Sequence, residues 1–323
     1  MTMRKAIFIT GGASGIGRAV AIHFGAKGWF VGLADIDRKG MEQTAAMLPD
    51  GQSALYDLDV RDGDQWKAAL ASFWVDGGNR LDVMFNNAGI GKGGPFADVS
   101  SADHDLMLDI NLKGVVRGAE VAYPYLAKTP GSCLLNTCSA AGLYGAGGLA
   151  VYAATKFGVR GLTEALDIEW APQGIKVRSL MPSFIDTPIL DSISSGSNRP
   201  PRETLIEAGF EISPVELVAQ AAWDAVESKK VHTLVGKTAR PLLAGHDPQP
   251  LQTAAGRAPL RDQHNLADMC ARFHAGMGGG GLSQWEALVH HGPKLARTDQ
   301  WPDFMQQILG KLCLKVERTG AQG

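Results

Sequence analysis

Tyr152 and Lys156 stand four residues apart in VYAATKFGVRGLTEAL, a stretch that reads as helix. On a helix that spacing puts both side chains on one face. An ammonium beside a phenol favours the phenolate and lowers a pKa that is ordinarily about 10, giving an acid/base poised nearer neutrality. Alone, Y-x-x-x-K arises often by chance and marks no more than a solvated helix face. Here it is accompanied by a glycine-rich loop, a strand-end acid, Ser139 and Asn111, in a workable order along the chain.

The loop is T-G-G-A-S-G-I-G, residues 10–17, between a first strand and a first helix. Gly11, Gly15 and Gly17 let the backbone turn tightly and approach a pyrophosphate at the helix N-terminus, with Thr10, Ser14 and Ile16 completing the segment. Asp35 lies 18 residues beyond Gly17, at the end of the second strand. A carboxylate there can accept hydrogen bonds from both hydroxyls of an adenosine ribose and repels a 2′-phosphate. Ser14 brings no positive charge, and Arg38 follows two acids, Asp35 and Asp37. NAD is therefore expected over NADP. Asp59 and Val60 are read as closing the third strand, with an adenine resting on Val60 and its amino group meeting Asp59. Asn87, Ala88 and Gly89 follow the fourth strand, where small residues let a cofactor lie against the backbone.

Those residues need a frame that gathers them. Strands are expected at 4–10, 29–35, 53–60, 81–86, 131–140, 175–182 and 231–235. Helices are expected up to Lys27, near 37–47 and 62–75, over 102–127 and 151–171, and over 213–229 behind a Ser213/Glu216 capping box. Continuous apolar strands alternating with helices predict an α/β fold, a Rossmann-type doubly wound parallel sheet flanked by helices. Gly15, Asp35, Asn87, Ser139 and Pro182 each follow a strand and so fall on its carboxyl edge. Residues 1–236 are read as this domain. Residues 237–323, rich in Pro, Ala and Gly, are read as an atypical C-terminal extension, partly irregular, with one amphipathic helix near its end.

A chain of 323 residues with 45% hydrophobic and 20% charged residues suits a globular enzyme. A net charge of −2 gives no general attraction to nucleic acid or anionic membrane. No apolar run is long enough for a membrane helix, and the first residues enter a strand at once, so the cytoplasm is expected. The 4 cysteines show no disulfide or finger spacing. Cys270, His274, His290 and His291 lack metal-ligand spacing, and no metal site is expected.

The chain resembles the short-chain dehydrogenase/reductase family over residues 4–236. TGGASGIG, NNAG, the Asn of DINLKG, the Ser of NTCSA and YAATK appear in family order. The resemblance implies Tyr152 as general acid/base, Lys156 lowering its pKa and holding the nicotinamide ribose, and Ser139 as hydrogen-bond donor to the substrate oxygen. It implies that Asn111 bends its helix and holds a water linking Lys156 to solvent, and that Pro182, Ile185 and Thr187 adjoin the cofactor's carboxamide end. The reaction implied is hydride exchange between NAD(H) and a secondary alcohol or ketone; an NADPH-dependent 3-oxoacyl-type reductase and a silent cofactor-binding regulator are the alternatives. A homodimer or homotetramer is implied as well. One departure is Pro182-Ser183, where many members carry Pro-Gly. Leu143, Tyr144, Phe184, Ile189 and Leu190 near the site make an apolar small-molecule substrate the expectation, with the polar stretch 193–203 as a lid.

Overall fold

The computed structural model describes residues 4–192, 201–207 and 209–237. Apart from Lys237, the C-terminal extension lies outside them, as do its expected helix and Cys270, His274, His290 and His291. Seven strands form one parallel sheet: β1 (Ala6–Thr10), β2 (Phe30–Asp35), β3 (Ser53–Asp57), β4 (Val83–Asn86), β5 (Cys133–Thr137), β6 (Lys176–Pro182) and β7 (His232–Val235). Their order is β3-β2-β1-β4-β5-β6-β7, which reverses between β1 and β4 and opens a crevice at the carboxyl edge there. Register aligns the strand ends: Asp35 faces Asp57, Asn86 faces Asn136, Thr137 faces Leu180 and Pro182 faces Val235.

Period-two alternation splits the strand residues between two cores. Ile7, Ile9, Val31, Leu33, Phe85 and Leu135 pack under α1 (Gly15–Ala26), Met41 of α2 (Arg38–Ala45) and α9 (Glu216–Glu227). Phe8, Phe30, Met84, Leu134 and Val177 pack on the other face against α3 (Gly63–Asp76), α5 (Gly114–Leu126) and the end of α6 (Ala150–Trp170). The doubly wound α/β architecture expected from sequence is the one found.

Several local expectations change. The third strand stops at Asp57 because residues 59–62 turn, with Asp62 N–H on Asp59 C=O at 2.9 Å. Asp59 and Val60 therefore lie in the strand's exit turn. The helix expected over 102–127 is three pieces: α4 (Ser101–Leu108), a π turn (Asp109–Lys113) closed by Gly114 N–H on Asp109 C=O, and α5. The Ser213/Glu216 capping box does not form. Residues 184–186 pair with Ser213 instead, through Ser213 N–H on Phe184 C=O and Asp186 N–H on Ser213 C=O, both 2.9 Å. That pairing holds Ser213 outside the helix, which starts at Glu216 without a side-chain cap. Two short helices, α7 (Ile189–Ser192) and α8 (Pro201–Glu207), lie within the connection between β6 and α9 expected to be a loop. Residues 193–200 of the expected lid lie outside the described residues.

A polar seam crosses one core. Asn86 Nδ2 donates to Asn136 Oδ1 at 3.1 Å and to Val115 C=O at 3.2 Å, and Asn136 Nδ2 donates to Thr163 Oγ1 at 3.0 Å. Asn86 Oδ1 faces Gly118, where an added Cβ would stand 2.1 Å from it and 2.9 Å from the Trp66 ring. At the edge, the His232 ring meets Ser179 Oγ through Nδ1 and Glu164 Oε1 through Nε2, each at 2.8 Å, tying β7 to β6 and α6.

Gly118→Ala adds a methyl group that the seam has no room for. Alanine's better helix propensity returns about 1 kcal/mol, but overpacking costs about 3 kcal/mol, for a net loss of about 2 kcal/mol. The urea midpoint should fall with the slope unchanged; an unaltered midpoint would contradict the close approach.

Candidate active site

The glycine-rich loop leaves β1 at Thr10 and enters α1 at Gly15. Gly11 (φ 71°) and Gly15 (φ 50°) occupy the left-handed region. At Gly17 a Cβ would lie 2.0 Å from the Gly11 carbonyl oxygen, so only glycine lets the helix start fold back onto the loop. Ser14 at the N-cap makes no side-chain cap bond. The first amides of α1 thus form the concave donor set that a pyrophosphate requires, and the loop fits the dinucleotide expected from sequence.

Asp35 braces that loop. Its Oδ2 accepts from Ala13 N–H at 3.1 Å and its Oδ1 from Asp37 N–H at 3.0 Å. Each oxygen keeps a lone pair for a further donor. Arg38 is held by Asp57 at 3.4 Å and Glu42 at 3.5 Å. Ile36, next to Asp35, is 76% exposed.

The expected adenine contacts look different in place. The Asp59 carboxylate is gripped by the Arg61 guanidinium through Nε and Nη2, whose hydrogen bonds hold it below the usual carboxylate range. Val60 is buried against Gly114, and its carbonyl accepts from the Trp66 indole N–H at 3.0 Å. A turn after β3 reads like a strand end in sequence, so the pattern could not reveal this packing.

From β4, Asn87 Nδ2 donates to Thr10 C=O, and Asn87 N–H and Ala88 N–H both donate to Thr10 Oγ1, all at 3.0 Å. Gly89 sits against Asn111. Asn111 is fully buried in the π turn and clasps Ile90, donating to its carbonyl and accepting from its N–H, each at 2.8 Å. The helix expected to bend at Asn111 is interrupted there by the π turn. Its side-chain amide is engaged by the loop after β4.

Ser139 follows β5. Its Oγ accepts from Ala141 N–H at 3.1 Å, donates to Pro182 C=O at 3.4 Å and lies in hydrogen-bonding reach of the Tyr152 phenol. Lys156 Nζ stands 5.6 Å from the Tyr152 ring centre and donates to Thr137 C=O at 2.9 Å. The i,i+4 reading is thus correct in geometry. At both residues loss of hydration is the largest influence. Burial pushes Tyr152 up to about 12, against a smaller lowering from Ser139. Burial also brings Lys156 down to about 8. The phenol is protonated at neutral pH, and the ammonium is aimed at a main-chain carbonyl.

The exit of β6 closes the cluster. Thr187 is buried beside Gly15, a Cβ on which would lie 3.4 Å from Thr187 Cγ2, and Ile185 is buried at the Ser213 pairing. Ser183, the family departure, hydrogen-bonds the Val235 carbonyl through its N–H at 3.0 Å and its hydroxyl at 3.3 Å. Of the expected residues, Ser139, Tyr152 and Lys156 form one cluster, and Thr10, Gly11, Gly17, Asn87 and Ala88 another. Asn111 and Gly89 adjoin through the loop after β4, while Asp59 and Val60 are bound up in local packing. Thr137, absent from the sequence reasoning, touches both clusters: its carbonyl takes Lys156, and its hydroxyl donates to Asn87 Oδ1 at 3.1 Å. Among the described residues no group of His, Cys, Asp and Glu side chains is placed to hold a metal, and no helix is long and apolar enough to cross a membrane.

Comparison with known proteins agrees with this geometry. The family model described as short chain dehydrogenase matches residues 5–198. A 3-oxoacyl-[acyl-carrier-protein] reductase of Thermotoga maritima is 35% identical over 192 residues, 58% of this chain and 77% of that protein. Levodione reductase of Leifsonia aquatica is 35% identical over 193 residues, 58% of this chain and 72% of that protein. Among solved structures, levodione reductase superposes with TM-score 0.67 at 29% identity, covering 73% of this chain and 98% of that one. A short chain dehydrogenase/reductase from Burkholderia phymatum in complex with NAD superposes with TM-score 0.68 at 26% identity, covering 78% and 97%. This chain belongs to the short-chain dehydrogenase family and is an oxidoreductase built on a nucleotide-binding Rossmann-type fold.

Proposed function

We propose that the protein exchanges a hydride between NAD(H) and an apolar secondary alcohol or ketone, with Tyr152 as the general acid/base. The observation that carries this reading is the convergence of Ser139, Tyr152 and Lys156 on the sheet edge that also holds the glycine-rich loop. The nicotinamide supplies the hydride chemistry when bound. The chain supplies proton handling and orientation. Tyr152, protonated at rest, is suited to deliver a proton to a developing alkoxide and to recover it in the reverse direction. Ser139 hydroxyl donates a hydrogen bond to the same oxygen as charge builds. A charged Lys156 eases ionisation of the phenol and can meet ribose hydroxyls. Leu143, Tyr144 and Phe184, with Phe210 packed 5.1 Å from Phe184, give the entrance its apolar character.

The preference for NAD rests on Asp35, a carboxylate at the end of β2 that would repel a 2′-phosphate, and on Arg38, whose charge is spent on Asp57 and Glu42. Similar solved proteins include a 3-ketoacyl-(acyl-carrier-protein) reductase from Brucella melitensis complexed with NADH. A 3-oxoacyl substrate is thus compatible with the same site, while an NADPH requirement is disfavoured by Asp35. The intact cluster argues against a silent regulator. Assembly as a homodimer or homotetramer, a cytoplasmic location and the division at residue 236 belong to this proposal too.

Three outcomes test it. Tyr152→Phe should lower kcat by about a thousandfold, within what acid/base catalysis supplies, and still bind NADH. Retained turnover would remove the assigned role. Asp35→Ala should move the kcat/KM ratio of NAD over NADP toward NADP by at least about tenfold, the scale of one lost charge-assisted contact; an unmoved ratio would overturn the NAD assignment. The third outcome concerns Lys156. Between about 8 and 10.5 the unfolded chain holds a proton on this residue that the folded chain does not. Its destabilising effect is full below about 8 and fades as pH rises toward 10.5. Lys156→Met should be inactive, and its urea midpoint should fall relative to the parent's between about pH 7 and about pH 9.5. A constant difference would show that the ammonium is hydrated in solution.

A further inference from the structure

We propose that the Thr137 hydroxyl is a positioning group for the dinucleotide site, acting through Asn87. The hydrogen-bond directions leave no other arrangement. Thr10 C=O can only accept, so the Asn87 group facing it at 3.0 Å is the amide nitrogen. Asn87 Oδ1 then faces Thr137 Oγ1 at 3.1 Å, and the hydroxyl must be the donor. The same Asn87 offers its main-chain N–H to Thr10 Oγ1, as does Ala88. The Thr10 carbonyl thus fixes the amide orientation, and one hydroxyl on β5 anchors the oxygen end of the amide that joins the end of β4 to the end of β1, where the glycine-rich loop begins. The geometry tolerates no slack: an added Cβ on Gly17 would come within 2.9 Å of Asn87 Nδ2, and one on Gly11 within 3.0 Å.

Thr137 also carries Lys156 on its carbonyl at 2.9 Å. Any side chain keeps that main-chain bond, so a change at position 137 separates the two roles of the residue. Losing the hydroxyl leaves Asn87 Oδ1 without its donor in a partly buried place. The amide is then held at its nitrogen end alone, and the loop after β4 loses one of the anchors that seat it against the end of β1.

This inference rests on the dinucleotide-binding reading above, and direct binding keeps the two apart. Titration of the full chain with NADH, followed by nicotinamide fluorescence, should give a Kd raised about tenfold in Thr137→Val. Thr137→Ala, which lacks the hydroxyl and cannot overpack, should behave alike. Thr137→Ser should return the Kd to within about twofold of the parent. In steady state the loss should appear in KM for the dinucleotide and spare KM for the alcohol. If the parent binds NADH and both hydroxyl-free variants bind it equally well, this inference is wrong and the proposed function stands. Failure of Thr137→Ser to restore binding would assign the effect to strand packing and also overturn it. If the parent binds neither NADH nor NADPH, the underlying functional reading falls with it.

Discussion

A buried ammonium governs this molecule's architecture around the site. Lys156 is 4% exposed, and a charge so placed must be met by a fixed acceptor. That acceptor is the last carbonyl of β5. The contact sets how far along the strand α6 can sit and how it is rotated, and with it the location of Tyr152 one turn earlier. Neighbouring groups follow from the same constraint. The Cys138 thiol donates to the Lys156 main-chain carbonyl at 3.1 Å. Gly142 lies so close that a Cβ would stand 2.7 Å from the Cys138 sulfur. The strand exit carrying Ser139 is thereby wrapped onto the helix carrying Tyr152.

The two edges of the sheet divide the work. At the amino ends of the strands, shielded ion pairs hold the frame. Arg80 meets Asp82 at 2.6 Å, and Asp82 also accepts Ala6 N–H at 2.9 Å. Arg178 pairs with Asp167 and donates to Ser228 C=O. At the carboxyl ends, hydroxyls, amides and small residues dominate. A frame secured at one edge leaves the other free to be assembled from strand ends and loops, where a ligand can reach main-chain groups.

Much of this was legible in the chain. Apolar runs of the right length announced the strands, and the i,i+4 pair, the glycine spacing and the strand-end acid lie where periodicity put them. What stayed hidden depends on which neighbours and how much water the fold leaves at each side chain. The capping box at Ser213 lost to pairing with residues 184–186, a tertiary choice that no local pattern records. Asp59 was captured by Arg61, and Val60 was covered by a helix more than fifty residues on. The weight of burial on the phenol was not readable either, because spacing reports proximity but not loss of water. Thr137 escaped notice because a threonine ending a strand is ordinary, and its value comes from partners on two other segments.

His232 offers a last lesson. Its ring spends one nitrogen on the Ser179 hydroxyl and the other on the Glu164 carboxylate. A carboxylate only accepts, so the hydrogen on Nε2 is directed to Glu164, while the serine hydroxyl, able to give or take, turns to suit Nδ1. A single planar side chain thus rivets the last strand to its neighbour and to the long helix at once.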